Sequence, residues 1–282
     1  MKILSKSLPK KKMTYTKITS ASNPKIKQAL DIKNKRSKYK GAAFIIEGPH
    51  LIETAISSGH KIKEVFFTSA FSQRKDEQKL LEQVSKITRT YEVTEQIINK
   101  LTGTETPQGI IAIASYTPIT LGDIVFKSIP LIVIVDGVQE TGNLGTIIRT
   151  ADAAGADAVI ILKGTCDVFM HKTLRATAGS IFNIPLVYSE TDEIIEWLKF
   201  KKINVIATAL DSDKSIFDSD LKEPVAFVFG NEAHGVSNEI KKNADLILKI
   251  PIFGKAESLN VSVSAAVCLY EAVRQRKGVE SF

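Results

Sequence analysis

Three short segments in the second half of the sequence bring reactive and glycine residues together at fixed spacing. Residues 136–145 read Asp-Gly-Val-Gln-Glu-Thr-Gly-Asn-Leu-Gly and run into Ile148-Arg149-Thr150. Asn143 suits a helix cap, which puts Arg149 nearly two turns in, and the unpaired amides of such a helix start can hold an anion. Residues 229–235, Phe-Gly-Asn-Glu-Ala-His-Gly, directly follow an apolar run. Glu232 between glycines at the carboxyl end of a strand suits a ligand crevice, because open α/β sheets bind there. Residues 250–262 read Ile-Pro-Ile-Phe-Gly-Lys-Ala-Glu-Ser-Leu-Asn-Val-Ser, with Ser258 placed to cap a helix and Asn260 and Ser262 in its first turn. Each segment alone also has a plain structural reading as a turn or a cap. No Gly-x-Gly-x-x-Gly fingerprint and no Gly-Lys-Ser/Thr phosphate loop occurs, which disfavours a dinucleotide-dependent oxidoreductase. Four scattered histidines and two cysteines 102 positions apart, Cys166 and Cys268, offer neither metal-ligand spacing nor a disulfide framework.

The elements that must carry these segments follow from hydrophobic periodicity. The chain has 282 residues, of which 44% are hydrophobic and 24% charged, ordinary for globular domains and ample for two cores. Strands are expected at 43–46, 62–68, 88–93 and 109–115, and helices at 24–33, 51–56, 76–84 and 96–101. Ser22 or Asn23 is the expected cap of the first helix, ahead of Pro24. The stretch 116–130 holds two prolines, a glycine and little periodicity, the mark of a linker. A second series follows, with strands at 131–135, 158–162, 185–188, 205–209, 225–229 and 246–250. Its helices are expected at 144–154, 172–178, 192–201 and 259–277. Strand–helix alternation of this kind defines an α/β class with a mostly parallel sheet. The division is 1–13, a basic disordered arm; 14–116, a first α/β domain; 117–130, a linker; and 131–282, a second.

Charge is distributed unevenly. Residues 1–40 hold 13 Lys and Arg against one acid, Asp31, while the rest of the chain is net negative by five. A basic arm on a mildly acidic body is what engagement of a polyanion at one end requires, and a solubilising tail is the bland alternative. Lys25, Lys27, Lys33, Lys35, Arg36 and Lys38 crowd one expected helix and its exit, where they would hold the phosphates of a polyanion without naming a sequence. No apolar run reaches the length of a membrane span, and no apolar core follows the basic start, so a reduced, cytoplasmic setting is the default.

Taken together and in order, the three segments resemble those of the SpoU (TrmH) family of RNA ribose methyltransferases, within the SPOUT class. Residues 175–179, Arg-Ala-Thr-Ala-Gly, and Pro185 add to the likeness, although serine is commoner than threonine at 177. The first domain is similar to the family's substrate-binding domain through Ser22-Asn23-Pro24, Arg36, residues 44–48 and Pro107-Gln108-Gly109.

The resemblance implies S-adenosylmethionine-dependent methylation of a ribose 2′-hydroxyl, with 23S large-subunit rRNA as the substrate that the extra N-terminal domain favours. Transfer RNA and a non-catalytic RNA-binding protein retaining the fold are the alternatives. It also implies a trefoil knot in the C-terminal domain, a ribosomal-protein-like (L30e-like) N-terminal domain and a homodimer. Arg149, Asn143, Glu232, Ser258 and Asn260 match the catalytic positions. Arg149 is the family's catalytic arginine, as a general base or, with less demand on a guanidinium, as a fork that grips phosphate and stabilises oxyanion charge. Glu232 would orient Arg149 or the ribose, or cap amides of its own turn. His234, an imidazole that could serve as a base, occupies a variable slot of the motif. The donor pocket is expected from Thr208, Ala209, Leu210, Phe229, Gly230, Asn231, Ile250, Ile252 and Leu259, with apolar side chains around the adenine and backbone groups reading its edge. No metal or membrane partner is implied.

Overall fold

The computed structural model describes residues 15–34 and 43–277. The basic arm at 1–13, together with Lys35, Arg36 and Lys38, lies outside the described residues. Two compact units part between Ser115 and Tyr116.

The first unit comprises β1 (Thr16–Ile18), α1 (Pro24–Lys33), β2 (Ala43–Glu47), α2 (Pro49–Ser57), β3 (Ile62–Thr68), α3 (Ser69–Ser72), α4 (Lys75–Ile87), β4 (Arg89–Val93), α5 (Glu95–Leu101) and β5 (Ile110–Ser115). Its sheet has the order β1-β4-β3-β5-β2, parallel from β1 to β3 and antiparallel from β3 to β2. Asn23 caps α1, its Oδ1 accepting the Lys25 amide at 2.9 Å, and Pro24 takes the first helical position. Ile26, Ala29 and Ile32 then bury the inner face of α1 in a core with Phe66, Ile111 and Ile113. β1 and α3 are too short to leave a periodic signature and are not anticipated by the sequence.

The second unit comprises β6 (Leu131–Asp136), α6 (Thr141–Ala153), β7 (Ala158–Leu162), α7 (His171–Ala176), β8 (Leu186–Ser189), α8 (Thr191–Lys201), β9 (Asn204–Thr208), β10 (Val225–Gly230), α9 (Asn238–Asn243), β11 (Leu246–Leu248) and α10 (Val261–Lys277). All six strands are parallel, in the order β11-β9-β10-β6-β7-β8. The inner strands are apolar along their length, as burial on both faces demands. Parallel strands end on the same side, so the carboxyl ends of β9, β10, β11 and β6 lie together at the top of this sheet.

Three expectations need correction. Residues 117–130 are not a free linker. Ile119 bridges Val187, Leu121 and Ile124 enter the core of the second unit, and the Asp157 carboxylate accepts the Lys127 and Leu131 amides at 3.2 and 3.0 Å. Prolines and weak periodicity hide a segment whose few apolar side chains are nevertheless buried. α6 starts at Thr141, capped by Glu140, whose Oε2 accepts the Asn143 amide at 2.7 Å. α10 starts at Val261, and its cap is Asn260 rather than Ser258: Asn260 Oδ1 accepts the Ser262 amide at 2.9 Å, and its carbonyl accepts from Ser264.

Candidate active site

The five-residue connection at the end of β10 is dictated by its glycines. Asn231 and Gly235 exchange two backbone hydrogen bonds, and Gly235 takes φ +69°. The returning chain lies so close to Gly230 that a Cβ there would sit 2.1 Å from the Gly235 carbonyl carbon. Asn231 locks the turn from within, its Oδ1 accepting the Ala233 and His234 amides, while its Nδ2 donates to the Gly137 carbonyl at 2.9 Å. The loops after β6 and β10 are thereby stitched together. Asp136, at the end of β6, adds a further stitch by accepting the Ser237 amide at 2.8 Å.

Glu232 projects from this turn into the loop after β6. Its carboxylate accepts the Gln139 amide at 3.0 Å, the Glu140 amide at 3.1 Å and Asn143 Nδ2 at 2.9 Å. Partial shielding from water opposes its ionisation, but these donors outweigh the shielding and hold its pKa below the ordinary carboxylate value. Glu232 therefore braces amides of a neighbouring loop and does not bond to Arg149. Asn143 passes the connection on: its Oδ1 accepts Asn260 Nδ2 at 2.9 Å, and Asn260 Oδ1 accepts from the Ser262 amide and hydroxyl. One chain of hydrogen bonds, Glu232–Asn143–Asn260–Ser262, joins all three sequence segments.

Beside this network lies a cavity of about 460 Å³ at the carboxyl ends of β9, β10 and β11. Thr208, Ala209, Leu210, Gly230, Asn231, Ile250, Ile252 and Leu259, eight of the nine residues expected around a donor, line it. Phe229 does not: it is fully buried, its ring stacked 6.2 Å from that of Phe227 in the core. Ser258 and Asn260 are also in the wall. Lys241 and Asp211 line it without having been anticipated; the signal for Lys241 was the short capped run Ser237-Asn238-Glu239 that opens α9. Leu248, Leu210, Ile250, Ile252 and Leu259 give the wall an apolar side, and the tight turn at Gly230 gives it a backbone side. That combination, at this volume, fits a nucleoside-sized ligand with an apolar ring and polar edges.

Arg149 is not in the cavity wall. It lies six residues, about 9 Å of helix rise, beyond Asn143, is exposed, and its side chain makes no hydrogen bond or ion pair among the described residues. The lysines of the first unit divide in the same way. Lys25 is bound to the buried carboxylate of Glu64, and Lys33 donates to the Lys100 and Thr102 carbonyls at the end of α5. Of the three expected phosphate ligands within the described residues, Lys27 alone stands exposed without such a partner. Among the described residues no group of His, Cys, Asp and Glu is placed to hold a metal, and no helix is long and apolar enough to cross a membrane.

A parallel α/β unit with a ligand cavity at its strand ends, preceded by a smaller mixed-sheet unit, is the class that fold and site define. Residues 130–270 match the SpoU rRNA Methylase family, and residues 23–112 match the MRM3-like substrate binding domain. The chain belongs to the SpoU rRNA methylase family. It is 37% identical over 253 residues, 90% of this chain and 97% of the relative, to the 23S rRNA (guanosine(2553)-2′-O)-methyltransferase RlmP of Bacillus subtilis. An AdoMet-bound rRNA methyltransferase from Sinorhizobium meliloti is similar in structure, with TM-score 0.81 and 33% identity over 92% of this chain and 98% of that one. The SpoU methyltransferase AviRb from Streptomyces viridochromogenes, in complex with AdoMet, gives TM-score 0.84 and 28% identity over 92% of this chain and 100% of that one.

Proposed function

We propose that this protein transfers a methyl group from S-adenosylmethionine to a ribose 2′-hydroxyl of 23S rRNA, in the cytoplasm. The observation that carries the reading is the cavity itself: the three family segments meet around it through one hydrogen-bonded chain. Bound there, the donor supplies a methyl group on a cationic sulfonium. The apolar wall, Leu210, Leu248, Ile250, Ile252 and Leu259, would enclose its adenine and exclude water, and the backbone of the tight turn at Gly230 would face its polar edge. Asn143, Glu232 and Asn260 have their side-chain groups engaged with one another, so they act as positioning residues that fix the loops. Ser258, exposed in the wall, is free to orient the ribose. Arg149 grips the phosphate beside the target ribose with its planar fork and stabilises charge developing on the 2′-oxygen.

Three further assignments complete this reading. A homodimer is supported by the apolar side chains Val263 and Tyr270, two turns apart on α10 and 48% and 51% accessible, and by exposed Arg149, which is outside the wall of its own chain's cavity. A trefoil knot is supported by residues 214–223, which bond to Lys249 on one side of residues 250–260 and to Gln275 and Arg276 on the other. The first unit, ribosomal-protein-like, is the substrate-binding domain, with Lys27 among its phosphate contacts.

Incubation with labelled S-adenosylmethionine and either 23S rRNA or tRNA tests the activity. Ribose-bound label in 23S rRNA is the expected result. Label in tRNA alone reassigns the substrate, and no label in either defeats the reading.

A further inference from the structure

Among the large apolar side chains of the described residues, Phe253 is the most exposed, at 93%. It opens the stretch 253–258, every residue of which is exposed, between Ile252 and Ser258, which both line the cavity. The stretch is held at both ends, by Ile252 in the cavity wall and by Asn260 on Asn143. A Cβ at Gly254 would meet nothing within 4 Å, so the backbone next to Phe253 is open. Lys255, also exposed, stands two residues on and has no partner among the described residues. An exposed aromatic ring two residues from an unpaired ammonium, at the rim of a methyl-transfer cavity, has the composition of a single-stranded nucleic-acid platform: a π-face for a base and a cation for its phosphate. Fold stability gives no reason for it, since burying a phenylalanine is favourable and here that gain is forgone.

We propose that Phe253 is a positioning residue on whose ring an unpaired base of the substrate RNA stacks, with Lys255 holding the adjoining phosphate. This inference rests on the methyl-transfer reading, which places RNA at the cavity mouth. The ring orients the nucleotide and takes no part in bond making. An aliphatic side chain of similar bulk would keep the apolar surface and lose the stacking.

The test uses the full-length protein and 23S rRNA. Phe253→Ala and Phe253→Leu are each expected to raise KM for RNA about tenfold, within the range that removal of one base–aromatic contact spans. Phe253→Trp should restore it, and S-adenosylmethionine affinity by calorimetry should stay within about twofold in all three. The Phe253→Trp protein also carries a direct reporter, whose fluorescence, measured against the Trp197 background, should be quenched by RNA. Unquenched fluorescence, a leucine variant equal to the tryptophan one, or a change of assembly state with KM unaltered would each overturn the assignment. Failure of the wild-type protein to methylate RNA defeats the functional reading instead, and the quenching experiment still decides whether RNA stacks on residue 253.

Discussion

Asn143 Nδ2 donates to Glu232 Oε1 at 2.9 Å while Asn143 Oδ1 accepts from Asn260 Nδ2 at the same distance. One amide side chain thus spends its acceptor and a donor on the other two motifs, and the three strand-end loops become a single braced unit. Removing Asn143 breaks both bonds, so Asn143→Ala should destabilise by about 1–3 kcal/mol. In a double-mutant cycle with Asn260→Ala, the two changes should be non-additive by about 0.5–2 kcal/mol. Denaturant unfolding of the single and double variants measures both quantities. Full additivity would show that the bond between them contributes nothing.

Glu232 gives that brace a pH dependence. Its pKa is lowered in the folded chain, so the folded state favours the carboxylate more than the unfolded state does. The resulting stability is fully present above the unfolded value, about 4.3 for glutamate, and is lost as pH falls through the lower folded value. Wild-type protein should therefore lose stability below about pH 4.3 more steeply than Glu232→Gln. Thermal melts from pH 6 down to pH 3 follow the difference directly. Parallel curves for the two proteins would mean that the carboxylate gains nothing from its three donors.

The strand series of the second unit was legible because a parallel sheet buried on both faces writes itself as apolar runs: 158–162 is found at the expected bounds, and the others shift by one or two residues. Helix starts were less legible. Asn143 has the better capping propensity, yet Glu140 caps α6, because its other oxygen is held by Lys172 Nζ, 32 positions away, at 2.5 Å. Ser258 yields to Asn260 for a similar reason, since Asn260 is fixed from its other end by Asn143. The roles of Lys25 and Lys33 were hidden in the same fashion: a lysine run reads as a polyanion surface until Glu64 and the end of α5 claim two of its members. Local pattern names the elements, and the partners that decide each polar side chain's task are remote in sequence.

Glycine 145 tests how tightly α6 must sit on α7. A Cβ at this position would lie 2.5 Å from both the Ala176 Cβ and the Thr173 carbonyl oxygen. Neither neighbour is the end of a flexible side chain, so the helices themselves must separate. Gly145→Ala should therefore destabilise by about 1–3 kcal/mol through overpacking, even though alanine is the better helix former. Equilibrium unfolding checks the sign: a stabilised variant would show that α6 and α7 can part freely.

Lys25 and Lys27 sit two residues apart on α1 and should respond oppositely. Lys25→Ala leaves the Glu64 carboxylate, whose other oxygen already lacks a partner, buried without a cation. A loss of stability of about 1–3 kcal/mol is expected. Lys27→Ala should leave stability unchanged and weaken RNA binding, lowering the slope of log affinity against log salt by about one. Unfolding curves and RNA titrations at several salt concentrations separate the two. A salt slope unaffected by Lys27→Ala removes this residue from the phosphate contacts.

Arg149 should separate activity from stability most sharply. Its side chain is exposed and bonds to no other described residue, so Arg149→Ala should change folding free energy by no more than about 0.5 kcal/mol. If the guanidinium stabilises charge on the ribose oxygen, the same substitution should lower kcat by at least about 100-fold, the loss expected for one aligned donor. Arg149→Lys keeps the charge and loses the planar fork, so it should recover little of that rate. S-adenosylmethionine binding should be retained in both, because Arg149 lies outside the cavity wall. Single-turnover methylation with saturating donor reads the chemical step. Near-normal turnover by Arg149→Ala would remove the guanidinium from the reaction, and rescue by lysine would reduce its role to charge alone.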